Sequence, residues 1–104
     1  MAIRIGQSRD RKARVEGFIE LANHSLGRYA VRTDAGDYTL FETVSDVPLE
    51  VDELVWGDFY SIPSEIYRTE RHGEVSVVAS LCHCAHRDAF RWVHAHAADA
   101  VVKA

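Results

Sequence analysis

Cysteine and proline are scarce in this chain, two of each in 104 residues. The two cysteines, Cys82 and Cys84, stand one residue apart. A bond between such near neighbours is strained, which excludes a secreted scaffold stapled by disulfides. No apolar run approaches the roughly 18 residues of a membrane span. The opening residues, with Arg4 between Ile3 and Ile5, do not form the apolar stretch of a secretion signal. A reduced, cytoplasmic protein without a membrane partner is therefore expected. Lysine is rare as well: ten of the twelve basic residues are Arg, which suits planar, bidentate contacts. Basic charge as a whole is outnumbered by sixteen acidic residues, for a net charge of −4. A compact, non-specific duplex binder is usually basic, because phosphate neutralisation supplies most of its affinity. The chain also lacks a nucleophile elbow, a phosphate loop, an HExxH pair and a dinucleotide fingerprint. No cofactor and no catalytic residues are expected.

What is present has a globular balance, 47% hydrophobic and 27% charged. That excludes a disordered tail, a collagen-like repeat and a coiled-coil rod, and the length fits a single domain over residues 1–104. The charge is unevenly placed. Residues 1–14 carry Arg4, Arg9, Arg11, Lys12 and Arg14 against Asp10, whereas residues 42–58 carry six carboxylates and no basic residue. Such polarity can orient a partner; its plainer meaning is a solvated terminus and a solvated acidic loop.

Residues 1–11 read as a basic arm and residues 12–83 as strands. Val15, Gly17, Ile19 and Leu21 share one parity, and Arg14, Glu16, Phe18 and Glu20 the other, the alternation of a half-buried strand. Tyr29–Thr33 and Tyr38–Glu42 flank a short turn containing Gly36, which predicts a hairpin. With Ala35 and Gly36 as its loop, Val31 faces Leu40 toward the core, and Ala30 faces Phe41 on the outside. Pro48 holds a loop over 44–53, in which Asp52 and Glu53 are expected to be solvated. Trp56 is expected in the core. A second hairpin runs from Glu65 to Leu81 around His72-Gly73, with Val75, Val77, Ala79 and Leu81 on one parity. After Cys84 the composition turns to Ala, Arg, His and Asp without Gly or Pro. On a helical wheel Ala89, Phe90, Val93, Ala97, Ala100 and Val101 form one stripe, predicting an amphipathic helix over 85–102 with Asp88 in its first turn. Phe90 and Val93 are expected to pack on the barrel.

These signals predict an all-β fold: a small antiparallel barrel of five or six strands, oligonucleotide/oligosaccharide-binding-like or SH3-like, with one C-terminal α-helix. Three surfaces are candidates for function. Phe18, Arg32 and Phe41 are expected on the outer face of the first three strands, where rings stack bases and guanidinium groups meet phosphates. Arg9, Arg11, Lys12 and Arg14 extend that surface, while Glu16 and Glu20 oppose it. The expectation is a non-catalytic module for single-stranded nucleic acid or RNA. The competing expectation is a protein-interaction module, a homodimer or small adaptor, using the exposed aromatics, Trp92 beside His96, and the acidic 42–58 segment. Finally, Cys82, Cys84 and His86 carry zinc-ligand chemistry, but their spacing does not match the usual structural site and no second cysteine pair exists. A catalytic thiol is disfavoured too, since strand neighbours such as His83 and Cys82 point to opposite faces.

Overall fold

The computed structural model describes residues 15–95. Among them are six strands and one helix: β1 (Val15–Asn23), β2 (Arg28–Thr33), β3 (Tyr38–Thr43), β4 (Leu54–Gly57), β5 (Ser64–Thr69), β6 (Gly73–Cys84) and α1 (His86–Val93). The strands close into an antiparallel barrel in the order β1-β2-β3-β6-β5-β4. Two consecutive meanders, β1–β3 and β4–β6, are joined at two seams, β3 with β6 and β1 with β4. Among the described residues each strand has a ladder partner on both sides.

The interior is filled by aromatic and branched side chains, among them Ile19, Val31, Phe41, Val55, Phe59, Tyr67, Val75 and Val77. The Phe41 ring stands 5.6 Å from Tyr29 and 5.0 Å from Tyr67, and Phe59 stands 5.1 Å from Tyr67 edge to face. Two glycines make room for these rings. A Cβ at Gly57 would lie 2.5 Å from the Tyr67 ring, and one at Gly17 would lie 2.7 Å from the Arg32 carbonyl and 3.1 Å from Phe59.

The first hairpin forms as expected but in a different register. Its loop has three residues, Asp34-Ala35-Gly36, closed by Thr33 N–H donating to the Asp37 carbonyl at 3.0 Å. Gly36 supplies the left-handed φ of +88° that such a loop needs. One extra loop residue shifts the pairing, so Tyr29 faces Phe41 and Ala30 faces Leu40. A one-residue slip moves every side chain of a strand to the other face. Phe41 therefore lies fully buried inside the barrel, and Leu40 lies outside it beneath α1, the reverse of the sequence expectation.

The alternation in β1 holds from Val15 to Ile19 and then breaks at a bulge between Ile19 and Leu21. The bulge turns Leu21 out toward α1 rather than into the barrel. Register shifts between β3 and β6 act likewise on Leu81: Val75, Val77 and Ala79 point inward as expected, but Leu81 is exposed.

The 44–53 loop is not solvated throughout. Leu49 enters the core, and the Tyr29 hydroxyl donates to the Val47 carbonyl at 3.1 Å while accepting from Leu49 N–H at 3.2 Å. Glu53 is buried, its carboxylate accepting from the N–H groups of Glu50 and Arg71, each at 3.0 Å. Those two bonds supply the partners a buried carboxylate requires. They also tie the loop to the β5–β6 turn.

Helix α1 starts near the predicted position, with Asp88 in its first turn, but ends at Val93. Asn23 Nδ2 donates to the Val93 carbonyl at 2.8 Å and an Arg28 NH group to the Trp92 carbonyl at 3.1 Å. A cation at this end also complements the helix dipole. Positions 96–102 of the predicted helix lie outside the described residues. The buried stripe is rotated from the expected one. Ala89 and Val93 pack over Ala30, Leu40 and Cys84, with Trp92 half-buried beside them, while Phe90 is 52% exposed. Arg28 explains the exchange: its guanidinium lies 4.6 Å over the Trp92 ring and draws that side chain onto the sheet.

Candidate ligand-binding face

Alternation along β1 and β2 places Phe18 and Arg32 directly opposite each other on the outer surface. Phe18 is half-buried and Arg32 exposed. On the other side of β1, Phe18 faces Leu54 and Glu16 faces Trp56. Trp56, expected in the core, lies on this face. Its neighbours Val55 and Gly57 point inward, so Trp56 points outward, half-buried, with its indole N–H donating to Glu16 at 3.2 Å. Strict alternation over a four-residue strand was the signal that could have found it. Across from Trp56 on β5 stands the exposed Arg68. Helix α1 covers Leu21, Ala30 and Leu40, and Trp56, Phe18 and Arg32 are not part of that covered cluster.

Of the other expected site residues, Phe41 is sealed in the core and offers no face to a ligand. Arg9, Arg11, Lys12, Arg14 and His96 lie outside the described residues. Trp92 is half-buried under Arg28 rather than free. The three metal-ligand candidates do not converge. His83, at a left-handed φ of +60°, separates Cys82 from Cys84; Cys84 is buried beneath α1, and the His86 imidazole faces Glu20 at 3.5 Å. Among the described residues no three His, Cys, Asp or Glu side chains are grouped to hold a metal. Burial pushes the Cys84 thiol up, and Asp88 pushes it further, away from the thiolate a nucleophile needs.

Two polar clusters border the face. In the first, the Tyr38 hydroxyl donates to Glu20 at 2.8 Å, and Arg32 and His86 approach the same carboxylate at 3.9 and 3.5 Å. Burial raises the Tyr38 pKa, and its bond to Glu20 raises it further, so the phenol remains a donor. In the second, Thr33 Oγ donates to Asp37 at 2.5 Å, and His83 Nδ1 lies 2.8 Å from the other carboxylate oxygen. The His83 ring stacks on Tyr60 with centroids 4.5 Å apart. The Thr33 hydroxyl, with a smaller contribution from His83, holds the Asp37 carboxyl below the usual carboxylate range.

Chemically, the face combines flat rings and guanidinium groups with the Glu16 and Glu20 carboxylates on a strand surface. No described helix is long and apolar enough to cross a membrane. Compared with protein-family models, with curated proteins and with solved structures, the chain matches none.

Proposed function

We propose that this protein is a non-catalytic binding module, resembling oligonucleotide-binding barrels in its use of a strand face, that takes single-stranded nucleic acid or RNA. The supporting observation is the direct pairing of Phe18 with Arg32 on the outer surface, with Trp56 and Arg68 on the adjoining strands. Rings stack bases of any sequence, and guanidinium groups meet the phosphates between them. The arm residues Arg9, Arg11, Lys12 and Arg14 add phosphate contacts from the sequence side. Fluorescence anisotropy with labelled single-stranded oligonucleotides tests this. Binding at low salt that weakens at least about fivefold in Phe18→Ala and in Trp56→Ala is expected. Absence of binding at tens of micromolar in low salt ends the reading.

A second reading, a protein-interaction module, is favoured by a different surface from the one expected around Trp92. Val44, Ile66 and Val78 are exposed on the outside of β5, β6 and the adjoining loop. Such an apolar patch on a strand surface suits another protein. Light scattering separates the two readings: a dimer broken by Ile66→Glu supports the second.

A further inference from the structure

We propose that the strand-face site continues past Glu20 onto the outer ridge of α1, so that one single strand of nucleic acid runs along Trp56, Phe18 and Arg32 and then over Phe90, with Arg87 and Arg91 along one side of that ring. This rests on the nucleic-acid reading above and specifies its path.

Phe90 is turned away from the buried Ala89–Val93 stripe and is 52% exposed. It is not an isolated apolar ring. The His86 ring lies 6.2 Å from it and the His94 ring 4.7 Å, one helical turn to each side. His86 in turn meets Tyr38 edge to face at 5.5 Å. Arg87 and Arg91 are exposed on the same short helix. The ridge thus repeats the chemistry of the strand face, rings with guanidinium groups beside them. An aliphatic protein surface matches the Val44, Ile66 and Val78 patch better than it matches this ridge.

Glu20 joins the two halves. A carboxylate in the middle of an anion track opposes binding unless it is neutralised. Here one carboxylate is approached by Arg32 from β2, by Tyr38 from β3 and by His86 from the helix. Arg32 brings a positive charge and Tyr38 a hydrogen-bond donor to the point where the strand would cross, and the same contacts hold Arg32 and His86 on either side of the crossing.

The experiment measures anisotropy of labelled oligothymidylates of about 4 and 12 nucleotides, lengths within the range that such barrels hold, on the full chain and four variants. Thermal melts confirm that each variant folds; Phe90, Arg87 and Arg91 are exposed, so their replacement leaves the core intact. Phe18→Ala is expected to weaken both lengths. Phe90→Ala is expected to leave the short oligomer unchanged and to weaken the long one at least about fivefold. The double variant Arg87→Gln/Arg91→Gln is expected to do the same and to lower the salt slope by roughly 1.4. Glu20→Gln, which keeps an acceptor for Tyr38, is expected to tighten the long oligomer. If long and short oligomers bind equally, or Phe90→Ala affects neither, the path is wrong while the strand-face reading stands. If no oligomer binds, both fall. Binding of poly-glutamate in place of either oligomer, lost in Arg87→Gln/Arg91→Gln, overturns the proposal in favour of an acidic protein partner.

Discussion

Phe18 and Phe41 occupy similar sequence surroundings and opposite physical ones. Both sit in strands among polar and branched neighbours, yet Phe41 is wedged between Tyr29 and Tyr67 while Phe18 lies half-open beside Arg32. Removing a ring from a filled interior leaves a cavity that neighbours close only in part. Phe41→Ala is therefore expected to lower stability by about 3–5 kcal/mol, and Phe18→Ala by about 1 kcal/mol. Urea denaturation reads both, and equal losses would contradict the assignment of faces. The inward position of Phe41 was not legible from alternation, because alternation gives two faces without saying which is inside. A loop longer by one residue, Asp34-Ala35-Gly36 rather than Ala35-Gly36, decides it for β3. At Phe18 the same pattern was sufficient, since β1 runs regularly up to its bulge after Ile19.

Among the elements, the β2–β3 turn and the end of β6 are joined by side chains as well as by the Tyr38–Cys84 ladder pair beside them. Asp37 accepts from Thr33 within the turn and pairs with His83 on β6. The Thr33 hydroxyl first, and His83 after it, keep the Asp37 carboxyl ionised to lower pH than usual. A carboxyl held below its unfolded value contributes its full stabilisation above the unfolded value, near pH 4. That contribution is lost as pH falls further, toward the lowered folded value. Asp37→Asn is expected to be less stable than the parent at pH 6 and to lose less stability between about pH 4 and pH 2. Urea midpoints measured across that range provide the check, and an unchanged acid limb in the variant would count against the pairing. Helix α1 illustrates the same dependence on distant partners. Its amphipathic start could be read from spacing and from Asp88, but its stop at Val93 is made by Asn23 and Arg28, roughly seventy residues away.

For the whole molecule, a net charge of −4 and an anionic ligand stand in apparent conflict. Placement bears on it, since association responds to the local field more than to the total. Arg32, Arg87 and Arg91 are exposed along the proposed track together with Glu16 and Asp88, whereas Asp46, Glu50 and Asp52 belong to the loop between β3 and β4. Binding is accordingly expected to weaken steeply with salt. Replacing Arg9, Arg11, Lys12 and Arg14 together by Ala is expected to reduce the slope of log affinity against log salt by up to about 3, at roughly 0.7 per phosphate contact. A titration from low to physiological salt measures it; an unchanged slope would remove the arm from the site and leave the strand face.

By itself, the order of residues determined the class of fold. Period-two alternation, Gly-bearing turns and a change of composition after Cys84 specify short strands followed by a helix, because backbone geometry imposes those periods locally. Tertiary structure alone decided which residues the surface offers. The length of the β2–β3 turn buried Phe41, the N–H groups of Glu50 and Arg71 took in Glu53, register irregularities turned out Leu21 and Leu81, and Trp92 packed under Arg28 while Phe90 stayed in solvent. The physical reason is that a period names two faces of an element, but only the loops, bulges and long-range partners that join elements determine which face is covered.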